Sequence, residues 1–243
     1  MSSHIDFYFD IISPYSYIAH KKIQKINKNQ KVIFNYKPIL LGGLHNLAGI
    51  NAPAFNKYKI KNMQSDCELV SKKNDISFKW NLKFPINSLS IMRGYISVKD
   101  NQKDKYLDKF FNAYWRDNVD LSSEKEFSKL LKILEIDNEF FFDKIKQQST
   151  KDELKELTNN AFDKEVFGAP TFIVNNKIFW GQDRLEYALE ELSDGYTILN
   201  LLWLIEPKPP SICDIFSYPI FFKALTAKAD LTPPAQNKTI SLF

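Results

Sequence analysis

Residues 4–38 constrain the fold of this chain more than any other stretch. From His4 to Phe9 the pattern alternates, with Ile5, Phe7 and Phe9 on one face and Tyr8 on the other, the period of a β-strand. At Pro14 the period changes. Ala19, Ile23 and Ile26 fall on one helical stripe, with Lys21, Lys22 and Lys25 outside it. A second strand, VIFNYKP, follows at 32–38. Strand, helix and strand at this spacing form a βαβ unit, which requires parallel strands and a crossover helix.

The middle of the chain differs. Residues 42–50, GGLHNLAGI, read as a loop, and from about 54 to 165 the periods are mostly helical. Leu89, Met92, Tyr95 and Ile96 make one stripe, and Leu107, Phe110, Phe111 and Tyr114 another. Ser123-Glu124-Lys125-Glu126 fits a capping box, and Thr150-Lys151-Asp152-Glu153 fits a second. Strand character returns at Thr171–Val174 and Lys177–Trp180, around Asn175-Asn176. Asparagine tolerates positive φ, so the pair predicts a two-residue hairpin. A helix from Asp183 to Leu192 closes the pattern, with Leu185, Leu189 and Leu192 on one stripe. The order β-α-β, helical insertion, β-β-α is an α/β arrangement, the thioredoxin fold carrying an all-helical insertion domain. It places a discontinuous thioredoxin-like domain at 1–41 and 166–195 and the insertion at 42–165. A proline-rich extension follows at 196–243, with no function assigned.

Composition narrows the function classes. With 243 residues, 44% of them hydrophobic, the chain can build a real core. A net charge of +4 is mild, and argues for neither a nucleic-acid nor a membrane partner. The start lacks a basic segment followed by a long apolar one, and the apolar run ILNLLWLI at 198–205 is far short of the ~20 residues that span a bilayer. Cys67 and Cys213 form no CxxC pair, which fits a reducing compartment, the cytoplasm, and two incidental thiols. His4, His20 and His45 have no metal-motif spacing, so no metal is expected.

The candidate site is Ser13-Pro14-Tyr15-Ser16, where strand hands over to helix. Capping alone accounts for these residue types: Ser13 suits the N-cap and Pro14 the first helical position. Position argues for more. In a thioredoxin fold this is where CxxC sits, and here Ser13 and Ser16 replace both cysteines, so disulfide exchange is excluded. A helix N-terminus with free amides and a hydroxyl donor remains, suited to a thiolate supplied from outside. A free thiol has a pKa of ~8.5, and lowering it by ~2 requires about 2.7 kcal/mol of preference for the thiolate. A charge-assisted hydrogen bond gives about 1.5–3 kcal/mol, and the helix end adds to it. Three other stretches are candidates for the same site. Ala169-Pro170 stands before a strand, where a cis proline would face the first helix and Ala169 could pair with an extended peptide. Asp183 is both a candidate N-cap for the last helix and a candidate for binding an ammonium group. The loop at 42–61 offers Asn51 and one of Lys57, Lys59 and Lys61 to a carboxylate.

Four segments, DFYFDIISPYSYIAH, KPILLGG, FPINSLSIMRG and VFGAPTFIVNNKIFWGQDRLEYALEEL, resemble the 2-hydroxychromene-2-carboxylate isomerase family. That family is a sibling of the kappa-class glutathione transferases in the DsbA-like branch of thioredoxin folds, and the resemblance covers about 5–193. It implies bound glutathione, with Ser13 hydrogen-bonded to its sulfur, and with Asn51, Lys59, Ala169, Pro170, Asp183 and Arg184 around the peptide. Asp183 would stand near the γ-glutamyl end. The implied chemistry is reversible: a thiolate adds to an activated double bond, the ring opens, a bond rotates, and elimination restores the thiol. An aromatic acid needs an apolar slot and a cation, for which Tyr15, Phe84, Asn87 and Arg93 are the candidates. Core packing plus a surface arginine is the competing account of those four. A homodimer is expected by the same analogy. The alternatives are a kappa-like transferase acting on another electrophile and a non-enzymatic module that binds glutathione or a peptide.

Overall fold

A computed structural model of the chain describes residues 4–29 and 32–192. The extension at 196–243, with Cys213, lies outside them. Four strands form one sheet in the order β2-β1-β3-β4: β1 Ile5–Phe9, β2 Phe34–Pro38, β3 Thr171–Val174 and β4 Lys177–Trp180. β1 runs parallel to β2, with Phe7 opposite Tyr36, and antiparallel to β3, with Phe7 opposite Phe172. The β3–β4 hairpin turns through Asn175 (φ 49°) and Asn176 (φ 61°), the left-handed pair its sequence predicts.

The two sheet faces are covered by different helices. Phe7, Phe9 and Phe172 stack on one face, at centroid distances of 5.6 and 5.3 Å from Phe7. α1 (Pro14–Asn29) supplies Ile23 and Ile26 to the same buried cluster, and α9 (Leu185–Leu192) supplies Leu185 and Leu189. The other face presents Tyr8 and Ile173 to Leu44 of α2 (Leu41–Leu47) and to Ala161 of α8 (Gln148–Asp163). Between them run α3 (Lys57–Lys73), α4 (Leu89–Ser97), α5 (Asp100–Trp115), α6 (Glu124–Ile133) and α7 (Asn138–Lys146). One continuous core joins the sheet to these helices, since Phe9, Tyr95, Phe110, Phe111 and Trp115 all belong to it.

Two expectations are corrected. Residues 42–50 are not all loop, because α2 occupies Leu41–Leu47. Gly42 and Gly43 hide it in the sequence. Tertiary contacts hold it instead: Leu44 is fully buried, and the Leu41 N–H donates to Asp10 Oδ2 at 2.8 Å. Thr150 does not cap a helix. α8 starts two residues earlier, and Thr150 is buried within its first turn. The Ser123 cap is in place, its Oγ accepting from the Glu126 N–H at 3.5 Å. The connection from Asn74 to Ser88 is irregular and contains a cis Phe84–Pro85 peptide. Buried Asn81 pins it, donating from Nδ2 to Tyr114 O (2.9 Å) and Val119 O (3.1 Å).

Candidate functional site

The site is built on the first turn of α1. Ser13 caps the helix. Its Oγ accepts from the Ser16 N–H at 3.1 Å, and its carbonyl accepts from the Tyr17 N–H at 3.1 Å. Pro14 carries no N–H, and the Tyr15 N–H has no acceptor among the described residues. The Ser13 hydroxyl, only 4% exposed, donates to Ala169 O at 2.8 Å. The Ala169–Pro170 peptide is cis, as the sequence suggested, and brings the loop before β3 against the helix start. Gly168, just before it, lets the same loop pack against β4, because a Cβ there would lie 2.5 Å from Trp180 Nε1. The Ala169 N–H also has no acceptor among the described residues.

The turn after β4 stands beside this loop. The Gly181 N–H donates to Pro170 O at 3.0 Å. Lys22 Nζ, from α1, donates to Gln182 Oε1 at 2.8 Å and ties the turn to the same helix. Asp183 and Arg184 follow in a 3-10 turn, their side chains exposed and 3.5 Å apart, and the guanidinium of Arg184 lies over the Tyr187 ring at 5.3 Å. The N-cap role expected for Asp183 is absent. The residue lies inside that 3-10 turn, past its cap Gly181, and its carboxylate caps neither the turn nor α9. It is exposed, and its one ion-pair partner among the described residues is the neighbouring Arg184.

Asp10 is the residue that sequence reasoning passed over. It is fully buried, with Oδ1 accepting from the Ile12 N–H (3.0 Å) and Oδ2 from the Leu41 N–H (2.8 Å) and Ser88 Oγ (2.9 Å). One carboxylate thus joins the loop before Ser13, the start of α2 and the start of α4. Burial pushes its carboxyl up to about 6, against the three hydrogen bonds, which favour the charged form. The only hint in the sequence was an acid at the end of an apolar strand. The folded protein keeps this proton where the unfolded chain has lost it, so stability from this group is present below pH ~4 and falls as the pH rises through about 6. The free-energy advantage of wild type over Asp10→Asn should shrink by about 3 kcal/mol between pH ~4 and ~7 in paired urea titrations. A difference that stays flat, or grows with pH, would contradict the buried acid.

The remaining candidates are dispersed. Tyr15 is half-buried and donates to Asp66 Oδ2 of α3 at 2.8 Å. Cys67, next in sequence, is fully buried, and its thiol is pushed far up, first by burial and then by the Asp66 charge, which leaves it protonated and inert. Phe84 packs its ring on Trp80 (4.9 Å) and Trp115 (5.4 Å). Asn87 is exposed and accepts from the Leu89 N–H at 2.9 Å, closing the start of α4. Arg93 faces a groove between α2 and α8. Asn51 and Lys59 are exposed, and no hydrogen bond or ion pair ties either to Ser13. The cap of α3 is Asn56, whose Oδ1 accepts from the Lys59 N–H at 3.0 Å. The structure brings together Ser13, Ala169, Pro170 and the Asp183–Arg184 turn. Tyr15, Phe84, Asn87 and Arg93 each make a separate contact: with Asp66, with Trp80 and Trp115, with the Leu89 N–H, and in the groove between α2 and α8. Among the described residues no three His, Cys, Asp or Glu side chains converge as metal ligands, and no helix is long and apolar enough to cross a membrane.

A mixed four-stranded sheet whose first helix begins opposite a cis proline, with serines where paired cysteines would stand, defines a thioredoxin-fold protein without the dithiol. The chain belongs to the DSBA-like thioredoxin domain family, whose model matches residues 4–193. It is similar to the 2-hydroxychromene-2-carboxylate isomerase of Sphingobium xenophagum, at 26% identity over 80% of this chain and 100% of that protein. It is also similar to glutathione S-transferase kappa 1 of Caenorhabditis elegans, at 28% identity over 82% of this chain and 95% of that one. Among solved structures, a 2-hydroxychromene-2-carboxylate isomerase superposes with a TM-score of 0.69 at 25% identity, over 76% of this chain and 92% of its own. A cytosolic disulfide reductase, DsbM of Pseudomonas aeruginosa, solved with GSH, shares the fold at TM-score 0.54 and 12% identity, over 76% of this chain and 92% of its own.

Proposed function

We propose that this protein is a glutathione-dependent isomerase of the 2-hydroxychromene-2-carboxylate type, with Ser13 as the hydroxyl that holds the thiolate. The observation that carries the reading is the Ser13 hydroxyl at a helix N-terminus, 2.8 Å from Ala169 O and beside the cis proline. Its donor set suits a thiolate. The Ser16 N–H fixes one lone pair of Oγ, so the hydroxyl proton is the free element, able to turn from Ala169 O toward a sulfur. The uncommitted Tyr15 N–H and the helix dipole favour negative charge at the same point. The open Ala169 N–H suits the backbone of an extended peptide, and the exposed Asp183 carboxylate suits its ammonium end. Once bound, glutathione supplies a nucleophile that adds to an electrophilic carbon and leaves again. The similarity to named isomerases at 26–29% identity over three quarters or more of their length supports isomerisation, and the kappa transferase at 28% supports glutathione.

A titration tests the reading. Glutathione added to the purified protein should give a saturable ultraviolet thiolate signal, with an apparent pKa about 2 below that of the free thiol. Ser13→Ala should lose the signal. Binding with an unshifted thiol pKa would leave only a thiol-binding module.

A further inference from the structure

Arg93 lies in a groove that the glutathione reading does not use. The groove, about 530 Å³, runs between α2, α4 and α8, and neither Ser13, Ala169, Pro170 nor Asp183 lines it. Its apolar wall is Leu40, Leu47, Leu89 and Leu154, and no aromatic side chain takes part. Thr158 makes the wall rigid: its Oγ1 accepts from the Leu40 N–H at 3.0 Å and donates to Leu154 O at 2.8 Å.

The charges are unbalanced. Lys151 and Lys155, four residues apart on one face of α8, join Arg93 along the groove, opposed by one acid, Asp152. Asp152 Oδ1 is taken by Gln148 Nε2 at 2.8 Å, and none of the three cations has an ion-pair partner among the described residues. The Nε of Arg93 is buried and makes no hydrogen bond. Burial also lowers the Arg93 pKa, and no neighbouring carboxylate offsets the effect. A buried donor left unpaired is costly, and a guanidinium Nε–H pairs with an Nη–H to grip a carboxylate through two parallel bonds.

We infer that this groove is a second ligand site, for an alkyl monocarboxylate whose head pairs with Arg93 and whose chain lies on the leucine wall. Lys151 and Lys155 at the rim draw the anion in. An aliphatic chain suits a wall of leucines with no ring to stack on.

Calorimetry with octanoate on the full chain tests the site, with octanol as the uncharged control. One octanoate per chain should bind saturably at millimolar concentration, and octanol at least tenfold more weakly. Arg93→Met should weaken octanoate at least tenfold. If that variant fails to fold, the paired variant Lys151→Gln and Lys155→Gln, which changes only groove-rim lysines, should weaken it severalfold. Ser13→Ala should bind octanoate as wild type does, which separates this site from the thiol site. Absence of saturable binding, equal affinity for octanol, undiminished binding in the groove variants, or loss of binding in Ser13→Ala would each overturn the inference.

Discussion

On the proposed function, Ser13→Ala is expected to cut turnover of 2-hydroxychromene-2-carboxylate by about one to two orders of magnitude at saturating glutathione, while the protein stays folded. The hydroxyl donates to Ala169 O and its proton can turn, and a hydrogen bond to a charged group is worth about 1.5–3 kcal/mol. At about 1.4 kcal/mol per decade, that is roughly 10- to 150-fold in the thiolate population or in the barrier. The substitution also removes the helix cap, at about 0.5–2 kcal/mol, and leaves Ala169 O without its partner. A modest fall in melting temperature should therefore accompany the loss. Steady-state rates and a melting curve on the same preparation separate the two effects. Wild-type turnover in the variant would remove Ser13 from the mechanism, and an unfolded variant would make the hydroxyl a structural cap first.

The second large effect lies one residue layer below. Trp115 closes α5 and is fully buried, and its Nε1–H donates to Ile11 O at 2.8 Å, two residues before Ser13. Its ring stacks on Phe78 (5.8 Å) and meets Trp80, Phe84 and Tyr114 at 5.7, 5.4 and 4.8 Å. Trp115→Ala should cost about 3–5 kcal/mol in urea unfolding, from lost burial and the cavity left behind. Trp115→Phe keeps most of the apolar contact but strands the Ile11 carbonyl, so it should cost about 1–3 kcal/mol. An alanine variant that loses under about 1 kcal/mol would mean that the surrounding rings collapse into the space.

Much of this architecture was legible because the elements that build the sheet carry their own signals. β1 alternates, α1 opens on Ser-Pro, and the hairpin announces itself through two asparagines that both take positive φ. The meeting of Ser13 with Ala169 could be read from the order of elements, because that order fixes which ends come together. What stayed hidden depends on contacts between distant segments. α2 contains two glycines and no capping side chain, so only Leu44 burial and the Asp10 carboxylate account for it. Asp10 looks like any acid after a strand until Leu41 and Ser88 arrive from elsewhere. Tyr15, Phe84, Asn87 and Arg93 look alike as candidates for one slot, yet Asp66, Trp115, the Leu89 N–H and the leucine groove claim them separately.

The bond from Lys22 to Gln182 makes the site a ruler. Ser13 and Lys22 belong to the same rigid helical segment, and Lys22 holds the turn that carries Asp183. On the proposed function, a ligand gripped by its sulfur at Ser13 and by its ammonium at Asp183 must span a fixed separation, because adjustment of the turn is opposed by the half-buried Lys22 that holds it. Selectivity among thiols then becomes a matter of span as much as of charge.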